Sequence, residues 1–322
     1  MRIEATDDLV LTEEQRTLLI MHSVLNVLNT LMYELRSLAT LLNSKTSLTE
    51  AEKLLLDAAR DLRRSDLAEQ RVHTAGTFAD RLETLVAEAV KRHKADSHDA
   101  EVSRALDNIT SILDIFRIRA AELAEQSGTF HTWGEYRIPE LADNFHHVFS
   151  TIEQTSRGGY RIVYNLAAQE ANDYYVGLDI TSFRGEVIRM PAALQDVMRD
   201  LLANARKYTA PGGRILAGLH EAREKLRCVV EDTGRGIPAE ELSRVIKFGY
   251  RASNVQDRPT RGGGFGLTKA FYVTRSLGGR MAIESEPDIG TRIEIEIPAA
   301  PQPQAGQAEP PEHDAETSAP AG

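Results

Sequence analysis

Four short pieces decide how this chain is read: DLLANARKYT (200–209), EDTGRGIP (231–238), RGGGFGL (261–267) and GT (290–291), in that order within residues 194–297. Asn204 lies in an apolar, Ala-rich run that reads as helix. Its side-chain carbonyl is a neutral hard-oxygen ligand of the kind Mg²⁺ accepts beside phosphate oxygens and water. Asp200 precedes it by one turn, so the two share a helix face, and Lys207 follows it by about one turn with a point charge suited to phosphate. Cys228-Val229-Val230 is a short β-rich run ending at Glu231-Asp232. A buried carboxylate at a strand end accepts an amino donor, as from an adenine, and Gly234 and Gly236 permit a tight turn close to such a ring. Gly262, Gly263, Gly264 and Gly266 lead into a helical stretch from Leu267. A glycine-rich turn at a helix N-terminus favours anions through free N–H groups and the helix dipole.

Singly these signals are weak, because a lone GxG is usually an ordinary turn and a helical Asn is usually solvated. In order, with strand and helix patterns between them, they point to a nucleoside triphosphate held with a metal ion.

At these residues the chain resembles the ATP-binding domain of sensor histidine kinases, in the wider GHKL group with gyrase, the ninety-kilodalton heat-shock chaperone and the MutL repair proteins. The family's N box resembles 200–209, its G1 box 232–238, its G2 box 262–267 and its terminal Gly-Thr 290–291, with Phe248 at the F box; the likeness covers roughly 136–298. It implies an α/β sandwich of the Bergerat type, a mixed sheet backed by helices, with ATP and Mg²⁺ under a mobile lid at about 249–263. It further implies Asn204 as the Mg²⁺ ligand and Lys207 and the glycine-rich lid on the triphosphate. Tyr208 would stack near adenine and Asp232 would read its amino group, while Gly234, Gly236, Phe248, Gly262, Gly264, Phe265, Gly266, Leu267 and Thr291 would complete the nucleotide site. For Asp200 two readings stay open: a helix-surface acid, or a group that polarises a metal-bound water.

Upstream the pattern is helical. Residues 1–12 are polar and read as a flexible N-terminus. Thr12 is a candidate N-cap with acids in the first turn. One long helix is expected to about Leu42, with apolar residues at Leu18, Met21, Leu25, Leu28, Met32, Leu35, Ala39 and Leu42, the alternating three–four spacing of a coiled coil. Residues 49–97 read as one or two helices, broken near Arg64-Ser65-Asp66 or near Gly76. A last helix spans about 100–126 with a seam at Leu106, Ile109, Leu113, Phe116, Ala120 and Leu123, closed by Gly128. The expected organisation is therefore a helical bundle of three or four helices over 13–128, an α/β ATP-binding domain over 129–298 and a disordered Pro/Ala/Gln/Glu tail over 299–322. The bundle's seams must pack on each other or on a second chain, and family habit makes a homodimer the expectation.

A histidine kinase needs an acceptor histidine on a helix. His22 stands out among nine histidines: it follows seam residue Met21 and opens HSVLNVL (22–28). Val24, Asn26 and Leu28 fit the family's H box; Ser23 replaces its acid. Residues 112–118, ILDIFRI, resemble the family's second dimerisation helix. The resemblance implies that His22 attacks the γ-phosphorus and that Asn26 orients water for the reverse hydrolysis. A receiver-domain aspartate of a response regulator would be the final acceptor. Two other readings stand beside this one. A GHKL-type serine kinase like the mitochondrial dehydrogenase kinases also pairs a helical bundle with this domain. A nucleotide-binding interaction scaffold without kinase activity is the third, and Ser23 is its motive.

Composition narrows the setting. The net charge of −10 argues against a general nucleic-acid binder. A single cysteine, Cys228, reads as a small buried apolar residue and fits a reducing cytoplasm. No apolar run reaches transmembrane length, so no membrane insertion is expected, and no sensor module is recognisable, leaving the input partner open.

Overall fold

Strand β9 (Gly290–Pro298) shows how the sequence builds the main sheet. Ile293, Ile295 and Ile297 turn to the core, while Arg292, Glu294 and Glu296 between them face outward. Its neighbours are β7 (Lys225–Asp232) and β8 (Arg280–Glu286), both antiparallel to it. Charges stitch the outer face: Glu296 accepts from Lys225 at 2.7 Å and from Arg280 at 2.5 Å, and Glu294 from Arg227 at 2.6 Å. Beyond β7 lie β6 (Arg214–Glu221), β4 (Tyr174–Ser182) and β3 (Ile162–Val163), the last two pairings being parallel. A separate antiparallel ribbon joins β2 (Trp133–Arg137) to β5 (Val187–Pro191).

This is a computed structural model, and it describes residues 1–6, 9–44, 46–93, 100–125, 132–155, 159–255 and 263–299. The expected tail, Gly128 and the central part of the expected lid lie outside the described residues.

Three helices cover the inner face of the sheet: α7 (Ile138–Thr155), α8 (Ala192–Tyr208) and α9 (Gly266–Ser276). Pro191 is the N-cap of α8, with extended φ/ψ and no N–H to leave unpaired. One continuous core holds sheet and helices together, from Phe145 and Phe149 on α7 through Val197 and Leu201 on α8 to Phe271 on α9.

The first residues are not loose. Arg2–Glu4 form β1, which adds antiparallel to β8 at the sheet edge and gives a seven-stranded order β1-β8-β9-β7-β6-β4-β3. The polar composition concealed this because an edge strand keeps one face in water. Ile3, opposite Ile283, packs on the core and Ala5 is buried. The chain therefore touches the α/β domain first, leaves to build the bundle, and returns at β2.

The bundle has its own core and six helical segments among the described residues, more than the three or four expected. Thr12 caps α1 (Glu13–Ile20) with a reciprocal capping box: its hydroxyl accepts from the Gln15 N–H and the Gln15 side chain from the Thr12 N–H. The single helix expected over 13–42 is broken at Met21, where α1 meets α2 (His22–Leu41) with a bend of 62°. No Gly or Pro marks this point. The bend lets α1 pack on α4 (Ser65–His73) and α9 while α2 runs along α6 (Ala100–Glu125). Between them α3 (Thr49–Asp61), α4 and α5 (Ala75–Arg92) use both of the expected breaks.

The seams close on themselves. Leu25, Leu28, Leu35 and Leu42 on the first seam and Ile109, Leu113, Phe116 and Ala120 on the second are buried within one chain. They do not require a second copy, so the homodimer loses the packing argument that the spacing supplied. No single helix among the described residues is long and apolar enough to cross a membrane.

Candidate functional site

The inner end of the sheet, α8, α9 and the first turns of α2 enclose a cavity of about 360 Å³. Helical spacing sets its α8 wall. Asp200, Asn204, Lys207 and Tyr208 line it, each about one turn from another. The ends of the strands set its floor, where Asp232 of β7 stands opposite Thr291 of β9. Gly236, Gly264, Phe265, Gly266 and Leu267 close another side. His22 and Asn26 reach it from α2, so the bundle supplies one wall of a cavity whose remainder belongs to the α/β domain.

Not every expected residue faces it. Gly234 is one step back, its N–H donating to Asp232 Oδ1 at 2.8 Å. Phe248 does not line the cavity but supports it, its ring 4.7 Å from that of Phe265. Gly262 lies outside the described residues. Tyr250, Arg251 and Ala252, within the expected lid, line the cavity too, as do Asn29 and Thr30 of α2, which the motif reading did not single out.

Two glycines are dictated by close approach. Gly236 has φ +64°, and a Cβ there would stand 1.9 Å from the Glu286 carbonyl oxygen, so the turn after Asp232 folds only around a hydrogen. At Gly266 a Cβ would come 2.6 Å from Asn204 Nδ2. The missing side chain leaves room around the Asn204 amide, which makes no hydrogen bond among the described residues. A hard cation flanked by phosphate oxygens fits this donor, because a neutral amide oxygen adds a ligand without adding charge.

Burial tunes the charged groups. Asp232 is pushed up to about 6 by desolvation, against the backbone N–H donors of Gly234 and Thr291 that favour its ionised form. His22 is held below its ordinary range by burial; Asp200 acts on it most strongly in the opposite sense, and Lys269 adds to the lowering. Its imidazole is therefore neutral at pH 7. The ring stands edge-on to Phe265, centroids 5.4 Å apart at 82°, and Nε2 lies 3.0 Å from Asn26 Nδ2. An amide N–H only donates, so Nε2 accepts and the ring proton sits on Nδ1.

Behind the cavity is a buried charge cluster that the motifs did not announce. Lys269 of α9 is buried between two carboxylates of α8, its Nζ 3.1 Å from Asp196 Oδ2 and 3.2 Å from Asp200 Oδ2. Burial alone would raise Asp196, but the charges of Lys269, Arg199 and Arg119 outweigh it and hold the carboxyl well below the usual range. The bundle joins the cluster directly. Ser23 Oγ donates to Asp196 Oδ2 at 3.1 Å, and Glu122 of α6 accepts from both terminal nitrogens of Arg199 at 2.8 and 3.0 Å. The available sequence signal was a lysine inside the apolar run LTKAFYV (267–273) facing acids four apart on α8.

A mixed sheet backed by helices, with an asparagine, a strand-end aspartate and a glycine-rich turn converging on one cavity, defines an ATPase-type α/β domain preceded by a helical region. Residues 190–301 match the family of histidine kinase-, DNA gyrase B- and HSP90-like ATPases. The adaptive-response sensory kinase SasA of a Nostoc species is 34% identical over 34% of this chain and 27% of its own. The histidine protein kinase DivJ of Caulobacter vibrioides is 35% identical over 33% of this chain and 18% of its own. A solved catalytic domain of the histidine kinase ThkA aligns over 53% of this chain and 99% of its own, with 20% identity and a TM-score of 0.38. Residues 190–301 are thus similar to the ATPase domain shared by histidine kinases, DNA gyrase B and HSP90. The chain spans less than a third of the length of these two curated relatives.

Proposed function

We propose that the chain is a protein histidine kinase that binds Mg-ATP, phosphorylates His22 and passes the phosphoryl group to a receiver-domain aspartate of a response regulator in the cytoplasm. The observation that carries this reading is the placement of His22. The one histidine with a fitting local pattern lines, as a neutral imidazole, the cavity that also holds Asn204, Lys207 and Asp232.

In this reading Asp232 accepts the adenine amino group and the turn at Gly236 brings backbone against the ring. Tyr208 flanks the base, and Lys207, whose Nζ stands 5.1 Å over the Tyr208 ring, is a cation lining the cavity for the phosphates. Asn204 would hold Mg²⁺, which would supply charge neutralisation at the phosphate oxygens. Phe265 holds the imidazole edge-on, and Asn26 fixes its tautomer. Because His22 and the cavity belong to the same chain, transfer occurs within one chain. Asn26 would also orient water for hydrolysis of a phosphorylated partner.

The test is incubation with γ-labelled ATP and Mg²⁺, wild type beside His22→Ala, with the acid and base stability of the label recorded. Acid-labile label that vanishes in His22→Ala is the expected result. Acid-stable label that persists in His22→Ala would instead establish a serine or threonine kinase. ATP binding with no label would leave a nucleotide-binding scaffold.

A further inference from the structure

The chain enters the bundle only after it has been fastened to the α/β domain. The Met1 ammonium donates to the Ser285 carbonyl at 2.8 Å, and the Ser285 N–H donates back to the Met1 carbonyl at 2.9 Å. Four residues on, the Ala5 N–H donates to the Met281 carbonyl at 2.8 Å. Between those points Ile3 faces Ile283, and Ile3, Ala5 and Leu9 all pack on the core of the sheet. Arg2 and Glu4 are exposed on the outer face, where Arg2 reaches Glu294 at 3.3 Å. Leu18 and Ile20 pack on the core of the bundle instead, and Met21 is part of it. α1 also packs on α9, and the residue after Met21 is His22, whose ring meets that of Phe265, the N-cap of α9. The next element after α9 is β8, the strand that β1 pairs with. The segment before His22 therefore grips one helix–strand unit twice, β8 through β1 and α9 through α1, and it ends at the histidine that lines the cavity.

We propose that this segment is a strap that positions His22: the imidazole lies in the cavity only while β1 is seated on β8. The bend of 62° at Met21 has no local cause, so the direction in which α2 leaves is set by where α1 is held. The ion pair between Glu122 and Arg199 fixes α6 to α8 at one place. The strap adds a second attachment, through β8 and α9, and two attachments fix an orientation that one leaves free to pivot. The strap is also the part of the sheet that is easiest to release. It is an edge strand of three residues with one apolar side chain turned to the core, and such elements open at the low end of a protein's local stabilities. Ile3 and Ala5 touch neither the cavity nor His22, so they are positioning residues. The consequence for phosphorylation rests on the histidine kinase reading; the consequence for the placement of α2 does not.

The experiment uses the full chain and loosens the strap with Ile3→Gly, alone and together with Glu4→Cys and Ala282→Cys. Glu4 and Ala282 are register partners. Alternation from the hydrogen-bonded Met1–Ser285 pair makes them a non-hydrogen-bonded pair, with Cα atoms about 4.5 Å apart, close enough for a disulfide. Cys228 is buried and does not compete. Three quantities are measured, oxidised and reduced: the initial rate of acid-labile labelling, the affinity for a fluorescent ATP analogue, and amide hydrogen exchange over residues 22–30. Ile3→Gly should label about 10- to 100-fold more slowly, as for a displaced reacting group, and should exchange faster at the start of α2. Its nucleotide affinity should stay within about threefold, as for a residue outside nucleotide contact. In the triple variant, oxidation should restore both rate and protection, and reduction should remove both again. Labelling and protection of Ile3→Gly at wild-type levels would overturn the proposal. So would a parallel loss of nucleotide affinity, which marks general damage to the α/β domain, or a disulfide that forms and restores neither quantity. If wild type gains no label, or keeps it in His22→Ala, the kinase reading has failed. Exchange over 22–30 then still decides the strap: protection that follows the disulfide supports it, and equal exchange in both redox states refutes it.

Discussion

Asp232→Asn separates stability from nucleotide binding in opposite directions. In the native chain burial raises the Asp232 carboxyl from an ordinary 3.8 to about 6. Because the folded pKa is raised, the folded state binds the proton more tightly than the unfolded state. Folding is therefore penalised as pH rises through this interval, and the full penalty is present above about 6. A shift of roughly two units corresponds to about 3 kcal/mol carried by the ionised form at pH 7.5. The asparagine is neutral and keeps an oxygen for the Gly234 N–H that now donates at 2.8 Å. Asp232→Asn should therefore be more stable than wild type at pH 7.5 by up to about 3 kcal/mol, and the gain should vanish near pH 4. Urea denaturation monitored at pH 4.5 and 7.5 reads the difference. The same variant loses the anionic acceptor for the adenine amino group and should bind an ATP analogue about 10- to 100-fold more weakly, the range for a charge-assisted hydrogen bond. A variant no more stable at pH 7.5, or one with the same gain at both pH values, would refute the desolvation argument.

Other perturbations follow from single contacts. Gly266→Ala should weaken ATP-analogue binding at least tenfold in a titration, because the new Cβ would meet Asn204 Nδ2 at 2.6 Å and displace the amide. Cys228 is buried and pushed up to about 12 by desolvation, so it should resist a thiol reagent at pH 8 in the folded chain and react once urea unfolds it. Ile3→Asp should cost about 1–2 kcal/mol in chemical denaturation, since it places a charge where β1 packs on the core opposite Ile283. Mixing His22→Ala with Asn204→Ala chains should yield no label if transfer runs within one chain; labelling of the mixture would show exchange between chains.

The amino-acid sequence by itself determined the α/β domain and its cavity floor. Residues such as Asn204, Asp232, Gly236 and Gly266 are constrained by close local geometry. A tight turn, a strand end or a helix start admits few residue types, and so those types mark it. The three–four spacing likewise marked the helical character of the first 125 residues. Tertiary structure decided the rest. Nothing local at Met21 breaks a helix; the bend of 62° comes from α1 docking on α4 and α9 while α2 follows α6. Residues 2–4, a single isoleucine between two charges, became a strand only because β8 offered an open edge. The seams that suggested a second chain found partners within the first, since periodicity records that an apolar face must be covered but not by what. The relation of His22 to Asp200 was the least legible of all. The two are 178 positions apart, and the Lys269 that joins Asp196 to Asp200 sits in a helix whose local pattern is apolar. Long-range charge pairing leaves no periodic trace, so only the packing of the bundle against the α/β domain brings those groups together.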